Sequence, residues 1–362
     1  MGGRANAHCM VRWGRWFSFV QPPRFDPHAC MTSTESFATL PPFRAGGIPA
    51  SLSVVCPCYN EEEVLSELHR RLVAVIATCG IPTVEVLLVD DGSRDATWPM
   101  IQQLAERDSR IRAIKLSRNF GHQLALTCGL DRCQGDVVLI IDADLQDPPE
   151  LLMPMLEKMR EGFDVVYGVR RRREGESPSK RFFAYAFYRI LSRVTGVAIP
   201  ADTGDFRLVS RRALNTLLQL RERHRFVRGM VPWIGYKQAP IVYDRPQRFA
   251  GETKYPFRKS LKLAFDAITS FSTHPLRLAS YLGLGVSGFA FLYIVVVVVL
   301  KLCGINFPGY TSLMASILLL GGVQLVVLGI VGEYVGRIFE QGQNRPLYIV
   351  DDEVGQPAHK DV

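Results

Sequence analysis

Two uncharged stretches near the C-terminus limit what this chain can become. Residues 278–300 contain no Asp, Glu, Lys or Arg, and neither do residues 302–332; Lys301 alone divides them. A bilayer core takes roughly 20 apolar residues per helix. The first run, "LASYLGLGVSGFAFLYIVVVVVL", meets that directly, and the second does so from Thr311 to Gly332, after the turn-like "CGINFPGY". Helices buried in a large soluble core are the competing account, but uncharged runs this long are rare in soluble folds. Two transmembrane helices forming a hairpin within 276–335 are therefore expected. Lys254, Arg258, Lys259, Lys262 and Arg277 precede the hairpin, and Arg337 and Arg345 follow it, while only Lys301 marks the turn. The positive-inside rule then puts both termini and the larger N-terminal domain on the cytoplasmic side of the inner membrane.

The formal net charge of +8 suits a domain held against an anionic leaflet. No basic stripe with interleaved aromatics occurs, so nucleic acid is not an expected partner. Of eight cysteines, Cys56 and Cys58 share the segment "VVCPCYN", and no second pair completes a zinc-type spacing. Reduced cysteines that pack the interior are expected in a cytosolic domain. Residues 1–48 mix Trp, Pro, Arg and His without periodicity and lack a signal-peptide pattern. They read as a disordered leader, or as the product of a start assigned too early, with Met31 an alternative.

From Ala50 the chain alternates strands and helices. "SLSVVCPCY", "VEVLLVDDGS", "IRAIKLS" and "DVVLIID" read as strands, separated by the helical "EEEVLSELHRRLVAVIATC", "TWPMIQQLAERD" and "HQLALTCGLDRC". Short, nearly continuous apolar strands indicate a parallel sheet covered on both faces. The expectation is a doubly wound, Rossmann-like α/β domain over 49–255, binding its ligands at the carboxyl ends of the strands. "CYNEEE", "DDGS" and "DADLQD" stand at those ends. Each has a purely structural reading, since Asp and Glu cap helices well. Four carboxylates from Asp142 to Glu150, directly after an apolar strand, repel one another unless something positive meets them. Asp142 and Asp144 form a D-x-D that can offer oxygens to one hard cation, which would bridge the protein to a diphosphate. No P-loop, dinucleotide fingerprint or nucleophile elbow is present.

"SVVCPCYNEEE", "LLVDDGSRDAT", "LSRNFGHQLALTCGL" and "DADLQDPPELL" resemble the successive motifs of glycosyltransferase family 2, in particular its polyprenyl-phosphate branch. The resemblance continues through "DTGDFRLVSRRAL", "FVRGMVPWIGY" and "RFAGETKYPFRK" into the hairpin, covering roughly 50–350. It implies a type-A glycosyltransferase fold and an inverting, Mg²⁺- or Mn²⁺-dependent transfer of one sugar from a nucleotide sugar to a polyprenyl phosphate. It implies that Pro57, Tyr59, Glu61, Asp90 and Asp91 lie along the nucleotide, and that Asp142, Asp144 and Gln146 surround metal and diphosphate. Asp202 and Asp205 match positions near the reacting sugar and acceptor, with no choice between them. Arg207, Arg211, Arg248, Thr253 and Lys254 match the acceptor-phosphate side. Cys56-Pro57-Cys58 departs from the family pattern and bears on packing. The resemblance also implies a homo-oligomer, with a tetramer as one form.

UDP-glucose with undecaprenyl phosphate is the favoured pair; GDP-mannose or a UDP-linked modified pentose are alternatives. Outside this class stand a nucleotidyltransferase and a non-catalytic membrane scaffold. A processive polysaccharide synthase lacks support, because its Gln-x-x-Arg-Trp signature is absent. Arg170 to Arg173 read as a mobile basic loop that receives lipid phosphate or closes over the donor. Residues 256–275 read as an amphipathic interfacial helix, with Leu261, Phe265, Ile268 and Ser272 on one face. Residues 336–362 read as a cytoplasmic tail.

Overall fold

The computed structural model describes residues 47, 49–171, 203–244, 274–304 and 309–355. The leader, Asp202, Arg248, Thr253, Lys254 and nearly all of the expected interfacial helix lie outside these residues. The fold is built on one eight-stranded sheet in the order β7-β5-β6-β4-β1-β2-β3-β8. Its centre is β1 (Ser51–Cys58), flanked by parallel β2 (Thr83–Asp90) and β4 (Val137–Ile140), with β3 (Ile111–Leu116) beyond β2. All eight residues of β1 are buried, as the unbroken apolar run requires of a strand covered on both faces.

Period-two alternation sorts these strands between two cores. Leu52, Val54 and Cys56 of β1 face one core, with Leu65, Leu68 and Leu72 of α1 (Leu65–Thr78) and Ile101 of α2 (Thr97–Arg107). Val55, Leu87 and Val89 face the other, with Leu126 and Leu130 of α3 (His122–Arg132). α4 (Leu152–Arg160) adds Met155 and Met159 to the first core. α5 (Arg211–Gln219) and α6 (Val227–Trp233) add Leu214, Leu217 and Met230 to the second.

The sheet is mixed rather than wholly parallel. β6 (Thr203–Ser210) inserts antiparallel between β4 and β5 (Val165–Arg170), and β7 (Gln238–Tyr243) pairs parallel with β5. Every residue of β6 is buried. The register Ile140↔Arg207 and Val137↔Ser210 carries Thr203 to Asp205 past the carboxyl end of β4.

α7 (His274–Leu302) and α8 (Tyr310–Gly342) are 29 and 33 residues long, about 44 and 50 Å at the helical rise. Both exceed a hydrocarbon core of about 30 Å. Their side chains face outward, with Leu284, Phe289 and Leu325 each more than 70% exposed. Apolar surface of that extent needs a lipid or protein partner, and these helices make the protein membrane-associated.

The segment expected to be a simple tail holds a further strand. β8 (Val350–Val354) pairs antiparallel with β3 at the sheet edge. Its acids meet cations already there: Glu353 bonds Arg112 at 2.6 Å and Arg132 at 3.3 Å, and Asp351 lies 3.3 Å from Lys115. The chain leaves this sheet before α7 and rejoins it after α8. Both ends of the helix pair therefore lie on the same side of any membrane that the pair enters.

Candidate active site

The carboxyl ends of β1, β2 and β4 open on one edge, as the pairs Cys58↔Asp90 and Val55↔Ile140 dictate. Past β1 the backbone turns through Asn60 at φ +53°, and its loop laces to the one after β2. Asn60 N–H donates to Ser93 Oγ at 3.0 Å, and Asn60 Oδ1 accepts from Arg94 N–H at 2.9 Å. Glu61 N–H donates to Thr97 Oγ1 at 2.8 Å, while Glu62 accepts from Ala96 N–H at 2.8 Å. Glu62 thus serves the start of α2, and Glu150 takes a bidentate bond from Arg71 at 2.8 and 2.6 Å. Pro57 is buried and Tyr59 half-buried at this lip.

Asp90 and Asp91 end β2 inside the protein. Asp90 accepts from Ser93 N–H at 3.2 Å. Asp91 accepts from Phe120 N–H at 2.7 Å and Gly121 N–H at 2.9 Å, and so fixes the loop that enters α3. Burial raises both carboxyls, against the pull of these hydrogen bonds. Gly92 lets the two loops meet: its φ is +68°, and a Cβ there would lie 2.7 Å from the Arg118 carbonyl carbon.

At the centre, His122 opens α3 with Nε2 3.4 Å from Asp142 Oδ1 and 3.3 Å from Asp205 Oδ2. Burial pulls this imidazole down, but the two carboxylates outweigh it and lift it to about 9. The geometry and this shift both favour the protonated ring. Asp205, only 1% exposed, takes a fork from Arg228 Nε and Nη2, both at 3.1 Å, and a bond from Gln123 Nε2 at 3.1 Å. Burial opposes its charge, yet Arg228, His122 and Arg207 hold it well below the usual carboxylate range. Gln123 Oε1 also accepts from Val227 N–H at 2.9 Å, tying α3 and α6 together across β6.

Asp142 has the opposite fate. Burial raises its carboxyl, His122 offsets part of that, and Asp205, Asp147 and Asp144 push it further, to about 6. Among the described residues its buried Oδ1 makes no hydrogen bond, and His122 Nε2 at 3.4 Å is an ion-pair neighbour. Asp144 Oδ1 accepts from Gln146 N–H at 3.1 Å across Leu145, which adopts φ +56°. Asp147 accepts from the Tyr243 hydroxyl and lies 3.7 Å from Arg170 Nη2. Among the described residues no three His, Cys, Asp or Glu side chains form a closed metal cage. One or two carboxylates plus substrate phosphate is the usual protein share for Mg²⁺, so Asp142 and Asp144 fit such an ion.

Three expectations change. Arg211 belongs elsewhere: its Nε donates to the Gly135 carbonyl at 2.8 Å, and its N–H to the Asp136 carbonyl. That is the amino end of β4, about 20 Å of strand from Asp142. Arg207 is buried behind Asp205, donating to the Asp205 and Gly204 carbonyls at 3.1 and 3.0 Å. The arginine run does not begin as a mobile loop, since Arg170 closes β5 and packs on Tyr243 and Asp147, while Arg171 lies 3.6 Å from Asp244. Arg172 and Arg173 lie outside the described residues.

The sequence reading missed His122, Gln123, Arg228 and Tyr243 as site residues. A signal for two of them existed. The first residues of a helix that follows a parallel strand stand at the binding edge, and "GHQ" opens α3 directly after β3. The six described cysteines are free thiols, five of them buried.

The signature described as Glycosyl transferase family 2 matches residues 53–218, and that described as GtrB C-terminal hairpin matches 274–338. The chain is 48% identical over 304 residues to "Uncharacterized glycosyltransferase YkcC" of Bacillus subtilis (strain 168), covering 84% of this chain and 94% of that one. It is 39% identical over 303 residues to "Bactoprenol glucosyl transferase" of Shigella phage SfV, covering 83% and 98%. "Prophage bactoprenol glucosyl transferase homolog" of Escherichia coli (strain K12) is 38% identical over 300 residues, covering 83% and 98%. With the acidic strand ends, the mixed sheet and the helix pair all in the matched order, this chain is a glycosyltransferase and belongs to glycosyltransferase family 2.

Proposed function

We propose that the protein transfers one glucosyl residue, with inversion, from UDP-glucose to undecaprenyl phosphate at the cytoplasmic face of the inner membrane. The observation that carries this reading is Asp142. It is a half-buried carboxylate whose buried Oδ1 makes no hydrogen bond among the described residues, with only His122 3.4 Å away, next to Asp144, on the sheet edge where an α/β domain takes a nucleotide. The glucosyl group and the lipid acceptor are suggested by the names of relatives that span nearly their full length with this chain.

In this reading Pro57, Tyr59, Glu61, Asp90 and Asp91 line the nucleotide. Asp142, Asp144 and Gln146 would hold Mg²⁺ or Mn²⁺. A bound cation supplies positive charge to the leaving diphosphate. Arg248, Thr253 and Lys254 grip the acceptor phosphate. A phosphomonoester is largely dianionic at neutral pH, with a second pKa of about 6, and needs no strong base. One acceptor oxygen forms a bond to the anomeric carbon as that carbon's bond to the nucleoside diphosphate breaks. Asp205, held by Arg228, Gln123 and His122, would position a sugar hydroxyl or the acceptor, a role shared in this reading with Asp202. His122 adds a cation between Asp142 and Asp205, which lowers the repulsion that the incoming phosphates meet.

The test incubates purified full-length protein with undecaprenyl phosphate, Mg²⁺ or Mn²⁺, and single nucleotide sugars, and reads lipid mass. A lipid heavier by one hexose from UDP-glucose, lost in Asp144→Ala, supports the reading. Product only from GDP-mannose or a UDP-linked pentose would replace the sugar. Release of inorganic diphosphate would point to nucleotidyl transfer. Nucleotide binding with no product from any donor would leave a scaffold.

A further inference from the structure

The side chains that hydrogen-bond Asp205 come from two elements, and the chain that follows α8 touches both. His122 and Gln123 open α3, and Arg228 lies in the first turn of α6. The loop before α6 is fastened to the last turns of α8. Glu340 Oε2 lies 2.9 Å from His224 Nε2, and the Glu340 carbonyl accepts from Arg223 Nη1 at 3.2 Å. Gln341 makes two bonds to the same loop: Oε1 accepts from Arg223 N–H at 3.2 Å, and Nε2 donates to the Arg221 carbonyl at 3.3 Å. Arg223 also places a cation at the carbonyl end of α8, where the helix dipole favours one. Four residues after His224, Arg228 forks onto Asp205, and Val227 N–H reaches Gln123 on the way.

The second tie runs through α3. Tyr348, six residues beyond α8, donates its hydroxyl to Asp131 Oδ2 at 2.8 Å, and Arg221 donates to the same oxygen at 2.8 Å. Asp131 is near the end of the helix whose first residues are His122 and Gln123. β8 then anchors the segment to the sheet. α8 continues as one helix from its apolar span to Gly342, so its last turns transmit the height of the membrane span directly.

We propose that Glu340 and Gln341 are positioning residues: through the 221–226 loop, α8 holds Arg228 and Gln123 on Asp205, and so sets the active site relative to the membrane. The physical need is plain in the proposed reaction, on which the kinetic part of this inference rests. A lipid phosphate is confined to one depth, and effective catalysis requires the reacting groups to be held to within fractions of an ångström.

The decisive experiment compares full-length wild type with the Glu340→Gln, Gln341→Ala double variant in detergent, by hydrogen exchange. Both side chains are exposed, so global unfolding temperature should stay within about 2 °C of wild type. Amides of 221–230, Val227 included, should exchange roughly fivefold faster, and those of β1 and β2 should be unchanged. Faster exchange confined to 338–345, or a loss of protection across the whole domain, would overturn the proposal. A second arm measures sugar transfer to undecaprenyl phosphate. Turnover should fall about fivefold with nucleotide affinity retained, and Arg228→Lys should add less than its separate effect. Unchanged turnover, or fully additive effects, would also overturn it. Wild type inactive on every donor would sink the transferase reading instead, and the exchange data would still decide this one.

Discussion

Arg228 meets Asp205 with both Nε and Nη2, so a lysine there keeps the charge and loses the fork. Arg228→Lys is expected to cut turnover at least tenfold, and Arg228→Ala to cost about 3 kcal/mol of stability as well, because Asp205 would be left buried without its main partner. Turnover assays and thermal melts read the two effects separately. Gly92 is constrained differently. An alanine there must hold φ +68° and push against the Arg118–Asn119 backbone at 2.7–2.8 Å, which no side-chain rotation relieves. Gly92→Ala should cost about 3 kcal/mol in denaturant unfolding. Arg211→Ala should lower stability by about 1–2 kcal/mol while the KM for the lipid acceptor stays put, since its guanidinium serves the Gly135 carbonyl at the far edge.

Among the elements, the joint of α1, α2 and β3 carries a pH signature. Asp108 follows α2 and accepts from Arg110 Nε at 2.8 Å and Nη2 at 2.7 Å, with His69 of α1 at 3.3 Å. The Arg110 side chain chiefly, against desolvation that raises it, lowers this carboxyl from 3.8 to about 2. A folded-state pKa below the unfolded one contributes stability above the unfolded value. That contribution is lost as pH falls through the folded value. The pair therefore stabilises the fold fully above about pH 4 and fades towards pH 2, by about 1.5 kcal/mol after allowance for solvent screening. Asp108→Asn should lose that amount at pH 7 and show a flatter acid limb between pH 4 and 2. An acid limb identical to wild type would mean that the joint is held by packing alone.

For the molecule as a whole, β8 makes the membrane topology testable. Domain and tail share one sheet, so if α7 and α8 each span the bilayer, as their length and composition predict, the turn between them lies across it from both. Cys303 sits exposed at that turn, whereas the other described cysteines are buried. A membrane-impermeant thiol reagent applied to intact spheroplasts should label Cys303, mapped by mass spectrometry. Labelling that appears only after lysis would contradict the expected orientation.

The strands and helices from Ser51 to Ile140 were legible in the sequence because each carries its own local pattern: unbroken apolar runs for doubly covered strands, 3.6-residue periodicity for the helices on them. The two apolar helices were legible for the same reason, since bilayer thickness fixes a length that composition alone reveals. Motif order was enough to name the acids. How strongly each holds its proton was not, because that depends on burial and on neighbours distant in sequence. Asp205 is held well below the usual carboxylate range by Arg228 and His122, 23 and 83 positions away, while burial, and then Asp205 itself, lift Asp142 to about 6. Arg207 and Arg211 are indistinguishable as letters in one motif; only the antiparallel register of β6 puts one beside the site and the other at the opposite edge. β8 was hidden as well, since "VDDEV" is a poor strand by propensity and forms one because Arg112, Lys115 and Arg132 neutralise it. Local periodicity and bilayer length are properties of a sequence read along itself; charge state, register and edge pairing are set by residues that only the folded chain brings within a few ångströms.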